Sequence, residues 1–217
     1  MRDFLKGRPS MHTRILEHTF EEYLEIAKTF HGAAAPGVLI GGFMVDAAIR
    51  NLPNGITYDA ICETRSCLPD AIQILTPCTV GNGWLKIVHL GLFALTLYDK
   101  STYEGARVFL DAKKVEPWRE INAWYFKLKS SKEQKREDIT REIGQAGSNI
   151  LSVHQVKIQP EAVEKRHKGK IVVCPQCQEA YPLDDGAACM LCQGNTLYTL
   201  RTYTWRGHEM LRASSTT

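Results

Sequence analysis

The chain has no run of about 18 uninterrupted apolar residues, the length a helix needs to cross a bilayer. Its longest apolar zone, Ala33 to Ile49, is broken by Pro36, three glycines and Asp46. Met1 to Ser10 carries Arg2, Asp3, Lys6 and Arg8 where a signal peptide would carry an apolar run. A cytoplasmic protein with reduced thiols and no membrane partner is therefore expected. Charge of one sign is also scarce. Twenty-seven basic residues against 24 acidic ones leave +3, too little to single out a nucleic acid. No internal repeat and no long low-complexity segment is visible.

What is present is an ordinary globular composition, 44% hydrophobic and 24% charged, over 217 residues. That suits one full domain plus something small and excludes a disordered chain. The unusual number is seven cysteines. An odd count excludes a fully paired disulfide framework within one chain.

Hydrophobic periodicity places the elements. Thr19 followed by Glu22 is a capping-box pattern, and Leu16, Phe20, Tyr23, Leu24, Ala27 and Phe30 recur at helical spacing as one expected buried face up to His31-Gly32. Pro36 opens a second helix that ends at Leu52-Pro53-Asn54-Gly55. Gly37, Gly41 and Gly42 within it remove side chains where a neighbour must come close. Ile56 to Glu63 reads as a strand, and Cys67-Leu68-Pro69-Asp70 as a helix entry. Trp84–His89, Leu92–Tyr98 and Tyr103–Leu110 are predicted to form an antiparallel meander. Trp118 to Leu128 is predicted as a helix, and Ser130 with Glu133 as the capping box of a further helix. Ile150 to Ile158 is predicted as a last strand. The basic stretch from Glu164 to Lys170 marks a boundary. The expected fold is α+β, with helices packed on a mixed or antiparallel sheet over residues 1–165. A small zinc ribbon and tail follow over 166–217.

Cys174-Pro175-Gln176-Cys177 and Cys189-Met190-Leu191-Cys192 are two C-x-x-C pairs eleven residues apart. In each pair a tight turn aims both thiolates at one ion. Four thiolates make a closed tetrahedral site that zinc accepts readily and leave no open position for catalysis. Iron in a rubredoxin-like site is the alternative, because thiolate ligation alone does not separate the two metals. Ile171-Val172-Val173 and Leu197-Tyr198-Thr199-Leu200 are predicted as flanking strands, with a hairpin carrying Tyr181 to Gly186 in the gap. Lys165, Arg166, Lys168, Lys170, Arg201 and Arg206 make a nucleic-acid-binding ribbon a second alternative function, which the small net charge disfavours.

A second constellation lies earlier. His31 ends a helix, Cys67 stands at a helix N-terminus whose dipole favours thiolate, and Cys78 precedes the Gly81-Asn82-Gly83 loop. These three can converge as a soft-metal site, completed by water or Asp70. They can equally serve a thiol- or metal-dependent enzyme with Cys67 and His31 as the catalytic candidates. Packing of the cysteines in the core and capping by the histidine is the plain alternative.

Phe30-His31-Gly32-Ala33-Ala34-Ala35-Pro36-Gly37, Cys67-Leu68-Pro69-Asp70-Ala71-Ile72-Gln73 and Leu75-Thr76-Pro77-Cys78-Thr79-Val80-Gly81 resemble the family of the formylmethanofuran dehydrogenase E subunit. That family carries His-Gly-His-x-Cys-Pro-Gly, then Cys-x-x-Asp-Ala-(Ile/Val)-Gln, then Thr-Gly-Cys-Thr-x-Gly. The family's second histidine falls on Ala33, its first cysteine on Ala35 and a glycine on Pro77. The resemblance spans residues 15–115. It implies a core similar to the C-terminal domain of glyceraldehyde-3-phosphate dehydrogenases, a homodimer, and a C-terminal zinc ribbon. It also implies association with the other chains of a molybdenum or tungsten one-carbon oxidoreductase, where the chemistry resides.

Overall fold

A computed structural model describes residues 14–130, 132–164 and 169–195, and the backbone of 203–206 and 209–212. The chain divides into two compact units, Met1–Val163 and Glu164–Thr217. Among the described residues no helix is long and apolar enough to cross a membrane.

The first unit opens with a short hairpin, β1 (Arg14–Ile15) and β2 (His18–Thr19), which leads into α1 (Phe20–His31). Thr19 caps α1 as the sequence predicts. Its hydroxyl accepts the Glu22 N–H, and the Glu22 carboxylate accepts the Thr19 N–H. Gly32, at φ 82°, ends the helix by donating its N–H to the Lys28 carbonyl. Next comes α2 (Pro36–Arg50), the central helix, buried over nearly its whole length.

The α2 glycines explain that burial. A Cβ on Gly42 would stand 2.5 Å from the Tyr23 ring of α1, and one on Gly41 would stand 2.6 Å from the Ala71 Cβ. Ala71 belongs to α3 (Leu68–Leu75). Both neighbouring helices approach α2 along its glycine stripe. The helix-propensity cost of about 1 kcal/mol per glycine is offset by this close packing. The Tyr23 hydroxyl adds a hydrogen bond to the Val38 carbonyl at 2.9 Å.

Behind the helices lies a five-stranded sheet in the order β4-β3-β5-β6-β7. Its strands are β3 (Tyr58–Cys62), β4 (Leu85–Ile87), β5 (Ala94–Asp99), β6 (Glu104–Leu110) and β7 (Leu151–Lys157). From β5 through β7 the pairing is an antiparallel meander. The segment Trp84–His89 does not join it as expected. β4 pairs parallel with β3, and β3 stands between β4 and β5. A parallel neighbour needs a crossover, which α3 supplies. Three short helices follow β6: α4 (Ala112–Val115), α5 (Arg119–Tyr125) and α6 (Arg136–Ala146). Ser130 and Glu133 form half of the expected box: the Ser130 N–H donates to the Glu133 carboxylate at 2.9 Å, but the Glu133 N–H donates to the Ser130 carbonyl and the Ser130 hydroxyl itself donates to that carboxylate. They close an isolated turn instead of a helix, because α6 begins only at Arg136. Leu128 lies past the end of α5 and is exposed. α7 (Pro160–Val163) ends the unit.

Cys62 is wholly buried in β3, and its thiol donates to the Thr64 carbonyl at 3.2 Å. Burial pushes this thiol up to about 11 from an ordinary 9.0. The folded chain holds that proton more tightly than the unfolded one. The core's stability is therefore full below pH 9 and falls as pH rises through about 9 to 11. Urea titrations across that window are expected to show a shallower decline for Cys62→Ala than for the wild type.

The second unit begins its described part with β8 (Ile171–Val173) and β9 (Ala180–Pro182), an antiparallel hairpin. The first C-x-x-C occupies the turn of this hairpin, whereas the expected hairpin lay in the gap between the pairs. The segment predicted as a strand at Leu197–Leu200 lies outside the described residues. β10 (Tyr203–Arg206) and β11 (Glu209–Arg212) form a separate antiparallel pair.

Candidate functional sites

The four C-terminal cysteines converge. Their Sγ atoms all lie within 4.8 Å of one another, and Cys177 Sγ stands 3.6 Å from Cys189 Sγ. Tetrahedral ligation with Zn–S of about 2.3 Å requires S···S edges of about 3.8 Å. A disulfide would hold two sulfurs at about 2.05 Å, and all four cysteines are free thiols. The donor set therefore fits a thiolate-bound ion, with Cys174, Cys177, Cys189 and Cys192 as its ligands.

Local backbone prepares the site. The Gln178 N–H donates to the Cys174 carbonyl at 3.0 Å, and Gln178 itself adopts a positive φ of 64° to finish the turn. The Cys189 N–H points at Cys174 Sγ, 3.5 Å away. Backbone N–H groups from Cys177 and Cys189 hold the Cys174 thiol down to about 6. Burial, together with the neighbouring sulfurs, drives Cys192 up to about 12. Four sulfurs this close suit a shared cation, whose charge would offset the repulsion between thiolates. Among the described residues Cys174, Tyr181, Ala188 and Cys189 form a small buried apolar nucleus around the cluster.

The earlier constellation assembles differently from expectation. His31, at the end of α1, reaches Cys67 at the start of α3, with Nε2 3.9 Å from Sγ. Its other nitrogen, Nδ1, lies 2.5 Å from Asp70 Oδ2. Cys78 does not join them. It follows the opposite end of α3, a helix about 12 Å long at 1.5 Å per residue. There its buried thiol donates to the Tyr58 carbonyl at 3.6 Å. Among the described residues, the C-terminal cysteines are the one group that brings three or more such ligands together. The soft-metal set of His31, Cys67 and Cys78 is thus not formed.

The helix dipole was expected to favour thiolate at Cys67. Burial raises this thiol instead, the Asp70 charge adds to the rise, and Lys127 opposes it. The first-turn N–H groups of Asp70 and Ala71 bond the Cys67 carbonyl, and its side chain receives no cap bond. Asp70, expected only as an optional fourth ligand to a soft metal, is instead the direct partner of His31. Its place in the first turn of α3, three residues after Cys67, is the signal the sequence offers for it. The Gly81-Asn82-Gly83 loop is closed on itself: Asn82 Oδ1 accepts the Thr79 and Trp84 N–H groups.

An α+β unit followed by a four-thiol unit defines a core protein with an appended zinc finger. The chain belongs to the FmdE family: the family model described as "FmdE, Molybdenum formylmethanofuran dehydrogenase operon" matches residues 30–159. A second, "FmdE treble clef zinc finger", matches residues 165–199, and so refines the expected ribbon to a treble clef. A tungsten formylmethanofuran dehydrogenase FmdE-like protein from Syntrophus aciditrophicus, known from a crystal structure, is similar at 57% identity and a TM-score of 0.79. The match covers 87% of this chain and all of that one. A probable S-adenosyl-L-methionine-binding protein from Archaeoglobus fulgidus is 29% identical over 192 residues, which is 78% of this chain. This chain spans about half the length of that relative, 52%.

Proposed function

We infer that this chain is a zinc-binding accessory protein of a molybdenum- or tungsten-dependent one-carbon oxidoreductase. The observation that carries the reading is the closed four-sulfur cluster. A site with four protein thiolates has no open position for substrate, so its metal folds a module and does not catalyse. A module folded by metal beside a family core suits recognition of another protein chain. The family's description, which names a molybdenum formylmethanofuran dehydrogenase operon, supports the kind of enzyme proposed.

The core is proposed to act as a homodimer. Leu90, Leu92, Phe126 and Leu128 are each about half exposed or more and are apolar side chains a second copy could cover. Light scattering is expected to return twice the chain mass at micromolar concentration, and a monomer mass would end that part of the reading.

Association is tested by tagging the chain in its native host and identifying co-purifying proteins by mass spectrometry. The expected result is enrichment of the chains of a molybdopterin or tungstopterin enzyme, lost when the finger is deleted. Recovery of nucleic acid with salt-sensitive binding, and of no such enzyme, would favour the nucleic-acid reading over this one.

A further inference from the structure

The metal cluster leaves one group of reactive side chains unused. Cys67 Sγ, His31 and Asp70 form a line, 3.9 Å and then 2.5 Å between successive groups. In the tautomer with Nδ1–H donating to Asp70, Nε2 faces the thiol as an acceptor. The order is nucleophile, base, orienting acid.

The backbone at Cys67 is unusual for a residue that merely packs. Its φ and ψ are 58° and −49°, and the Leu68 N–H donates to the Ser66 carbonyl at 2.6 Å. That is a γ-turn of the strained hand, which a side-chain-bearing residue rarely adopts. The turn lies on the connection from β3 to α3 and points the thiol at His31. Gly37 makes room on the other side, where a Cβ would stand 2.8 Å from Cys67 Cβ and 3.1 Å from Sγ. The same point lies 3.5 Å from the Phe93 ring, which meets Trp124 edge-on at 5.8 Å. Lys127 lies over the Trp124 ring at 5.6 Å and brings a cation within electrostatic range of the thiol.

We propose that Cys67 is the nucleophile of an acyl-transfer site, with His31 as general base and Asp70 as positioning residue, acting on esters or thioesters. The Sγ–H proton passes to His31 Nε2 as Sγ forms a bond to the acyl carbon of R–CO–X. The C–X bond breaks, and X leaves as HX with the proton from Nε2. Water then adds to the S-acyl carbon and gives a proton to Nε2. The Sγ–C bond breaks, R–COOH departs, and Nε2 returns its proton to the thiolate. No oxidation state changes. Phe93 and Trp124 offer an aromatic wall to the donor.

The test uses the full chain loaded with zinc, which shields the finger thiols, and p-nitrophenyl acetate as the probe. A burst of p-nitrophenolate equal to the chain concentration is expected, with the acetyl group mapped to the Cys67 peptide. The rate at pH 7 exceeds that of free cysteine. His31→Asn slows acetylation by about 100-fold, the lower end of general-base effects. Its rate then climbs steadily with pH as that of a simple thiol does. Asp70→Asn lowers the rate and moves the wild-type pH profile, which a merely structural carboxylate would not do. Acetylation of Cys67 no faster than free cysteine overturns the proposal, and this comparison needs no variant. A folded His31→Asn chain that reacts at the wild-type rate overturns it equally.

Discussion

Cys189→Ser is expected to lose its metal and unfold the finger while leaving the core intact. Cys189 is nearly buried and its sulfur lies 3.6 Å from that of Cys177, in the middle of the cluster. Serine keeps the volume, but its hydroxyl stays protonated at neutral pH and its oxygen is a poor partner for a soft site. Among the described residues the finger's buried nucleus has four members, and two of them are ligands. A module of this size draws its folding free energy from the ion. Zinc analysis is expected to fall from about one per chain to less than a tenth. Limited proteolysis then cuts within residues 169–195, while the thermal midpoint of the core is unchanged. A Cys189→Ser chain that retains full zinc would show that the four sulfurs do not act as one site.

Arg107→Met is expected to destabilise the core by about 3 kcal/mol. Arg107, on β6, donates through Nε and Nη2 to the two Glu63 oxygens, each at 2.6 Å. Glu63 follows the end of β3 and is only 6% exposed. Removing the guanidinium strands a carboxylate in a site water hardly reaches. Breaking a buried pair in this way costs more than the pair itself contributes. The partial exposure of Arg107 keeps the effect at the lower end of the range. Glu63→Gln combined with Arg107→Met removes the stranded charge and is expected to recover part of the loss. Urea titrations of the two variants check both expectations. A double variant less stable than the single one would place the cost in packing, not in charge.

Local signals are legible in the chain. The Thr19–Glu22 box starts α1, the glycines of α2 mark close approach, and the C-x-x-C spacing marks the four-sulfur cluster. Each of these is decided within a few residues. What is not legible is where distant segments choose partners. Nothing local says that β4 will pair parallel with β3 across α3, since an alternating run fits either neighbour. Nor does spacing say which of Asp70 and Cys78 His31 will meet. The two flank opposite ends of α3, and only the packing of α1 against that helix selects Asp70. At Cys67 a real dipole effect is outweighed by burial, which a sequence displays poorly. Ser130 and Glu133 keep their bonds without a helix, because a box caps only what the following residues continue.

X-ray absorption at the zinc edge of the purified, chelator-free protein reads whether one zinc ion is held by four sulfurs of this chain. A single shell of four sulfurs at about 2.3 Å, at one zinc per chain, is the expected spectrum. A shell containing nitrogen or oxygen, iron in place of zinc, or protein without zinc would contradict it.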